Sequence, residues 1–212
     1  MKHNNYNKNI FNKKLILPSI TLGMFIIWSI LVFTRAINPL DELVESFVIG
    51  LRNDNLTKIM INITNLGGAY SLIVISILLF FFIKNKKVPL SIIINLVTVF
   101  FTSQLFKFIF RRSRPNGVFL ADATGYSYPS GHTMVSFAFY IYLLYLLCKR
   151  INNKLVKILL TIFTTFLLLL IAFSRIYLGV HYLSDIIGGL LLGTTYIILF
   201  IRFNNSEVKQ WI

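Results

Sequence analysis

Residues 155–173 read LVKILLTIFTTFLLLLIAF, nineteen positions that carry a single charge, Lys157. At about 1.5 Å per residue a helix of that length spans roughly 28 Å, close to the ~30 Å hydrocarbon thickness of a bilayer. Working outward, five more apolar runs compare with it: Leu15–Thr34, Ser71–Ile83 with some upstream residues, Val88–Phe110, Thr133–Leu147 and Leu183–Ile201. The second is short unless it begins near Thr57 or Ile61. The composition agrees, with 56% hydrophobic and 13% charged residues and a mean hydropathy of +0.74, far from a soluble globular domain. The expected fold is all-α, a six-transmembrane-helix bundle over residues 15–202. A mobile cytoplasmic tail at 1–14 and a cytoplasmic tail at 203–212 flank it. Between spans one and two, Leu40, Leu43, Val44, Phe47, Val48 and Leu51 recur at helical spacing, which predicts a short amphipathic helix on the outer membrane surface. The first run is too long for a signal-peptide core and no small-residue cleavage site follows, so it reads as a retained span.

The formal net charge of +14 does not point to nucleic acid, because the cations fall in short clusters between apolar runs. Lys2, Lys8, Lys13 and Lys14, then Lys84, Lys86 and Lys87, then Lys149, Arg150, Lys154 and Lys157 would all lie on one side, which reads as cytoplasmic. Both termini are then inside, and the surplus charge faces anionic lipid headgroups. The expected place is the cell membrane, multi-pass, with membrane lipids as surroundings and no obligatory protein partner. A single cysteine, Cys148, excludes an internal disulfide and a thiolate metal cage.

The informative polar residues concentrate in three stretches at span ends on the opposite, extracytoplasmic side. They are Lys107 to Arg114-Pro115; Pro129-Ser130-Gly131-His132; and Ser174-Arg175, His181 and Asp185. Lys107, Arg114 and Arg175 suit a clamp on phosphate oxygens, the arginines as planar forks and the lysine as a point charge. Lys107 and Arg114 are expected two helical turns apart on similar faces, with Pro115 favouring exit from that helix. Ser130 and Gly131 precede the fourth span, where free amides form an anion site and glycine permits close approach. His181 and Asp185, one turn apart, are expected on one face of span six. There Asp185 accepts from one ring nitrogen and leaves the other free. Gly189 and Gly193 read as a close-packing face. Arg111 and Arg112 read as steering or headgroup contacts, or equally as plain exposed cations. Tyr126 and Tyr128 read as lining the entrance or anchoring the interface.

The pattern K-x6-R-P, P-S-G-H, S-R-x5-H-x3-D resembles the signature of the type 2 phosphatidic acid phosphatase superfamily at every position. The resemblance implies that His181 attacks phosphorus to form a phosphohistidine, that His132 protonates the leaving oxygen, and that Asp185 orients His181. Lys107, Arg114, Ser130, Gly131 and Arg175 would bind the phosphate, with no metal and no cofactor. The implied substrates are lipid phosphates or pyrophosphates: undecaprenyl pyrophosphate, phosphatidylglycerophosphate, phosphatidate or diacylglycerol pyrophosphate. A lipid phosphotransferase, a vanadate-dependent haloperoxidase and a non-catalytic lipid-binding protein are the other readings. The haloperoxidases that share this signature are soluble, which sets them apart from so apolar a chain.

Overall fold

The computed structural model describes the backbone of residues 2–208 and the side chains of residues 15–204. The side chains of the tail at 1–14 and of residues 205–212 lie outside the described residues. Eight helices and no strand occur among the described residues: α1 Lys2–Phe33, α2 Asn38–Gly50, α3 Asp54–Leu66, α4 Ala69–Phe82, α5 Lys87–Phe110, α6 Gly131–Arg150, α7 Lys154–Tyr177 and α8 Leu183–Val208. Five of them are long and apolar enough to cross a membrane alone, namely α1 through Leu15–Phe33, α5, α6, α7 and α8.

The short second run resolves into two helices. α3 and α4 meet at Gly67-Gly68 with a bend of 47°, and together they have the length and composition of one span. The break occurs where α7 comes close: a Cβ on Gly67 would stand 2.6 Å from Ile171 Cγ2. The starts of α3, α7 and α2 follow ordinary rules. Asn53 accepts from Leu56 N at 2.9 Å, Asn153 from Leu155 N at 2.9 Å, and Pro39 enters α2 in its first turn, where its missing N–H costs nothing.

α6 stands at the centre, packed against α5, α7 and α8, while α1 leans on α8, α3 on α7 and α4 on α5. Phe25, Leu72, Ile92, Val99, Met134 and Phe139 form one buried cluster in this bundle. A second cluster, with Val48, Met60, Tyr177 and Ile186, fastens α2 and α3 to the α7–α8 turn. The amphipathic helix is therefore present, but its apolar residues divide. Val48 is buried against the bundle, whereas Leu43 and Phe47 stay exposed.

Antiparallel packing brings the end of α5, the start of α6, the end of α7 and the start of α8 to one rim. The lysine clusters at 84–87 and 149–157 fall at the other. Two expectations need correction here. α5 stops at Phe110, because Arg111 adopts a left-handed conformation (φ 50°), so Arg114 lies in the following loop and not two helical turns along from Lys107. His181 likewise sits in the turn before α8, and only Asp185 is helical.

Candidate active site

A cavity of about 830 Å3 opens at that rim, and its walls include Lys107, Arg114, Gly131, His132, Arg175 and His181. Six of the eight residues singled out from the sequence thus face a single space. Ser130 lies behind the wall, fully buried, and caps α6; its hydroxyl accepts from Thr133 Oγ1 at 3.0 Å and Thr133 N at 3.4 Å. Asp185 stands behind His181, with Oδ2 3.3 Å from His181 Nδ1.

On the other edge of the ring, Arg114 Nη1 lies 3.4 Å from His181 Nε2. A guanidinium can only donate, so this contact requires Nε2 to accept and the ring proton to sit on Nδ1, facing Asp185. Burial first, then the cations Lys107, Arg175 and Arg114, hold the His181 imidazole well below the usual histidine range and keep it neutral. Nε2 therefore presents a lone pair to the cationic end of the cavity.

The three cations are held differently. Arg114 donates to the carbonyls of Val180 at 2.7 Å, Thr124 at 2.7 Å and Gly125 at 3.0 Å, which fix its plane in the loop. Lys107 donates to the carbonyls of Tyr126 and Ser127. Arg175 is 3% exposed and donates from Nη1 to Thr64 Oγ1 at 2.8 Å, while its buried Nε has no protein partner. An orphaned donor on a buried guanidinium beside a cavity suits an oxyanion that completes it.

The cavity has a second character below the cations. Ile73 of α4 and Val97, Phe100, Phe101 and Phe108 of α5 line it, all exposed on the flank of the bundle. The space therefore runs from a charged end at the rim to an apolar side facing the membrane.

Arg112 and Tyr128 depart from what the sequence suggested, whereas Arg111 and Tyr126 do not. Arg111 sits over the Phe108 ring at 4.4 Å, as a surface cation does. Arg112 turns inward, donating to Asp185 Oδ1 at 2.7 Å and to Asp41 Oδ2 at 2.8 Å. Burial opposes its charge, but Asp185 and Asp41 outweigh burial and hold Arg112 above its ordinary value. Tyr126 lines the cavity, whereas Tyr128 is fully buried, bonded to Ser29 at 2.8 Å and pushed by burial to about 12. The α2 register carried a sign of Asp41, which falls at i, i+3 and i+7 with Val44 and Val48 on the bundle-facing side.

Fold and site together define an integral membrane protein with a cavity lined by two histidines and three cations at the ends of its spans. The chain belongs to the PAP2 superfamily, whose family model matches residues 87–209. It is 27% identical over 195 residues to phosphatidylglycerophosphatase B of Bacillus subtilis (strain 168), covering 88% of this chain and 94% of that protein. It is 26% identical over 163 residues to an undecaprenyl-diphosphatase of Sulfolobus acidocaldarius, covering 71% and 72%. Among solved structures it resembles the transmembrane PAP2-type phosphatidylglycerolphosphate phosphatase of Bacillus subtilis, with a TM-score of 0.82 and 27% identity over 89% of this chain and 96% of the other. Aquifex aeolicus LpxE follows with a TM-score of 0.62 and 25% identity over 76% and 93%.

Proposed function

We propose that this protein is a lipid phosphatase that removes a terminal phosphate from a phosphomonoester or pyrophosphate lipid through a phosphohistidine on His181. The observation that carries the reading is the placing of His181, with Nδ1 on Asp185 and Nε2 turned to Arg114 inside a cavity that is cationic at one end and apolar at the other. A lipid fits those two halves, its phosphate among Lys107, Arg114 and Arg175 and its chains along the α4–α5 flank.

His181 Nε2 attacks phosphorus, the bond from phosphorus to the lipid oxygen breaks, and His132 gives that oxygen a proton. The Nδ1 proton stays on the ring, whose new positive charge Asp185 stabilises. Water then attacks phosphorus, the P–N bond breaks, His132 recovers a proton from the water, and orthophosphate leaves. Through both steps Lys107, Arg114, Arg175 and the Gly131 amide hold charge on the equatorial oxygens.

The proposed reaction uses no metal, the three cations carrying the charge of the phosphate oxygens instead. Among the described residues no three of His, Cys, Asp and Glu gather as a cage. The relatives act on phosphatidylglycerophosphate and undecaprenyl diphosphate, and these two lipids with phosphatidate and diacylglycerol pyrophosphate form the proposed substrate set. The cation clusters at the far rim support a site on the extracytoplasmic face.

The test is phosphate release from those four lipids by purified protein in detergent with EDTA, wild type beside His181→Ala. Metal-independent release that vanishes in the variant, with orthovanadate still bound, is the expected result. Turnover near wild type in a folded His181→Ala protein would overturn the nucleophile assignment.

A further inference from the structure

Asp185 is gripped on both oxygens. Oδ2 meets His181 Nδ1 at 3.3 Å and accepts Tyr182 N at 3.0 Å, while Oδ1 accepts Arg112 Nη1 at 2.7 Å. The same Nη1 donates to Ser184 Oγ at 2.6 Å, and Nη2 donates to Asp41 Oδ2 at 2.8 Å. Asp41 also accepts Ser184 N at 2.9 Å and the Ser184 hydroxyl at 2.5 Å. The guanidinium lies over the Tyr182 ring at 4.3 Å. Three separate segments, α2, the α5–α6 loop and the start of α8, thus close around one guanidinium.

Both carboxylates are buried, Asp41 2% and Asp185 0% exposed. A buried carboxylate with a neutral imidazole as its main partner would be costly and free to turn about its terminal torsion. Arg112 supplies the compensating charge and defines the plane of Asp185. Asp41 in turn holds the second arm of the fork, so the plane of Arg112 depends on where α2 sits. α2 precedes residue 87, where the family match begins, so this support reaches the site from outside the matched stretch. Its other face carries Leu43 and Phe47, 66% and 67% exposed, which suits a helix resting on lipid.

We infer that Arg112 and Asp41 are positioning residues for the reaction: Arg112 orients Asp185, which orients His181, and Asp41 anchors Arg112 through α2. The inference rests on His181 as nucleophile.

Dioleoyl phosphatidate hydrolysis by the full chain in detergent tests it, with rates counted per orthovanadate-binding site. Arg112→Gln should lose about 100-fold in kcat, the size expected for a nucleophile misplaced by about 1 Å, with KM within about twofold. Arg112→Lys keeps the charge but not the fork and should fall between. Asp41→Asn should lose roughly tenfold, and Glu42→Gln, one residue along and exposed, should match wild type.

A merely structural role would lower the number of sites and leave kcat per site unchanged. The acid limb of kcat adds a second readout. In Arg112→Gln the unopposed Asp185 carboxylate favours the imidazolium of His181 against Lys107, Arg114, Arg175 and His132, so the limb should move to higher pH. Wild-type kcat per site and an unmoved limb in Arg112→Gln, beside an inactive His181→Ala, would overturn this inference alone. Turnover retained in His181→Ala would overturn it together with the nucleophile reading. Should Arg112→Gln fail to fold, Arg112→Lys and Asp41→Asn decide: both at wild-type kcat per site would overturn the inference.

Discussion

Gly189→Ala is the substitution whose cost the structure states most directly. A Cβ at this position would stand 2.8 Å from the carbonyl oxygen of Ser130. That oxygen cannot step aside. It accepts Met134 N at 3.0 Å in the first turn of α6, and the amide of the same residue donates to Asp185 O at 3.0 Å. Restoring an ordinary 3.4 Å contact requires α8 to retreat by about 0.6 Å, the difference between 3.4 and 2.8 Å. Overpacking of this kind costs about 1–3 kcal/mol. It also widens the seam between α6, which carries His132, and α8, whose first turn carries Asp185. A displacement of about 1 Å at a reacting centre costs roughly 100-fold, so 0.6 Å should cost on the order of tenfold in kcat. Gly193→Ala is the internal control. Its nearest contacts are Phe137 Cδ1 at 3.3 Å and Met134 O at 3.4 Å, which tolerate a methyl with a few tenths of an ångström of adjustment. The assay is kcat on a lipid phosphate with thermal unfolding of the same samples. Wild-type values for Gly189→Ala in both measurements, or equal losses at the two glycines, would refute the reasoning.

Three other outcomes are expected. Arg175→Lys removes the planar fork whose Nε has no protein partner, so kcat should fall by about 100-fold or more and orthovanadate inhibition should weaken; an unchanged inhibition constant would argue that Arg175 does not touch the anion. In the proposed mechanism the neutral form of His181 attacks, and its folded value is held well below the ordinary range. Activity should therefore persist as pH falls through about 6.5 and fail only in more acidic solution. Stability has the same sign: it is complete above the unfolded value of about 6.5 and lost as pH drops towards the folded one, because the unfolded chain takes up the proton first. An acid limb of kcat at or above pH 6.5 contradicts this. Finally, a maleimide that cannot cross membranes should label Asn116→Cys, an exposed loop position, from outside intact cells in a Cys148→Ala background. Labelling only after permeabilisation would invert the topology.

The bundle was legible because membrane helices announce themselves by length and apolarity, and the site because its polar residues sit in short runs at span ends. What escaped was whatever depends on where a chain turns. Arg111 takes a left-handed conformation at the end of α5; Pro115 signals an exit but not how many residues before it the helix ends, so Arg114 was placed on a helix it has already left. The same ambiguity put His181 inside α8. The three arginines at 111, 112 and 114 look alike in sequence, yet one lies on a phenylalanine ring, one is bound between two carboxylates and one borders His181. Only the partners separate them, and one partner, Asp41, lies 71 residues away. The break in the second span was foreshadowed by Gly67-Gly68 and by a run too short to cross. Its 47° bend lies where α7 approaches Gly67, a neighbour that no reading of α3 and α4 alone contains.

The two-sided cavity has a kinetic consequence. A substrate that enters along the exposed α4–α5 flank is drawn from a two-dimensional solution, so the rate should follow its mole fraction in the bilayer and not its bulk concentration. Adding inert detergent or lipid at fixed substrate would then slow the enzyme by surface dilution. In the proposed reaction the products part into different phases: the dephosphorylated lipid would disperse among its neighbours, while orthophosphate would depart through the charged rim into water. Product inhibition should accordingly be governed by the aqueous phosphate concentration on the side that the rim faces, and a medium rich in orthophosphate would restrain turnover however little lipid product the membrane holds.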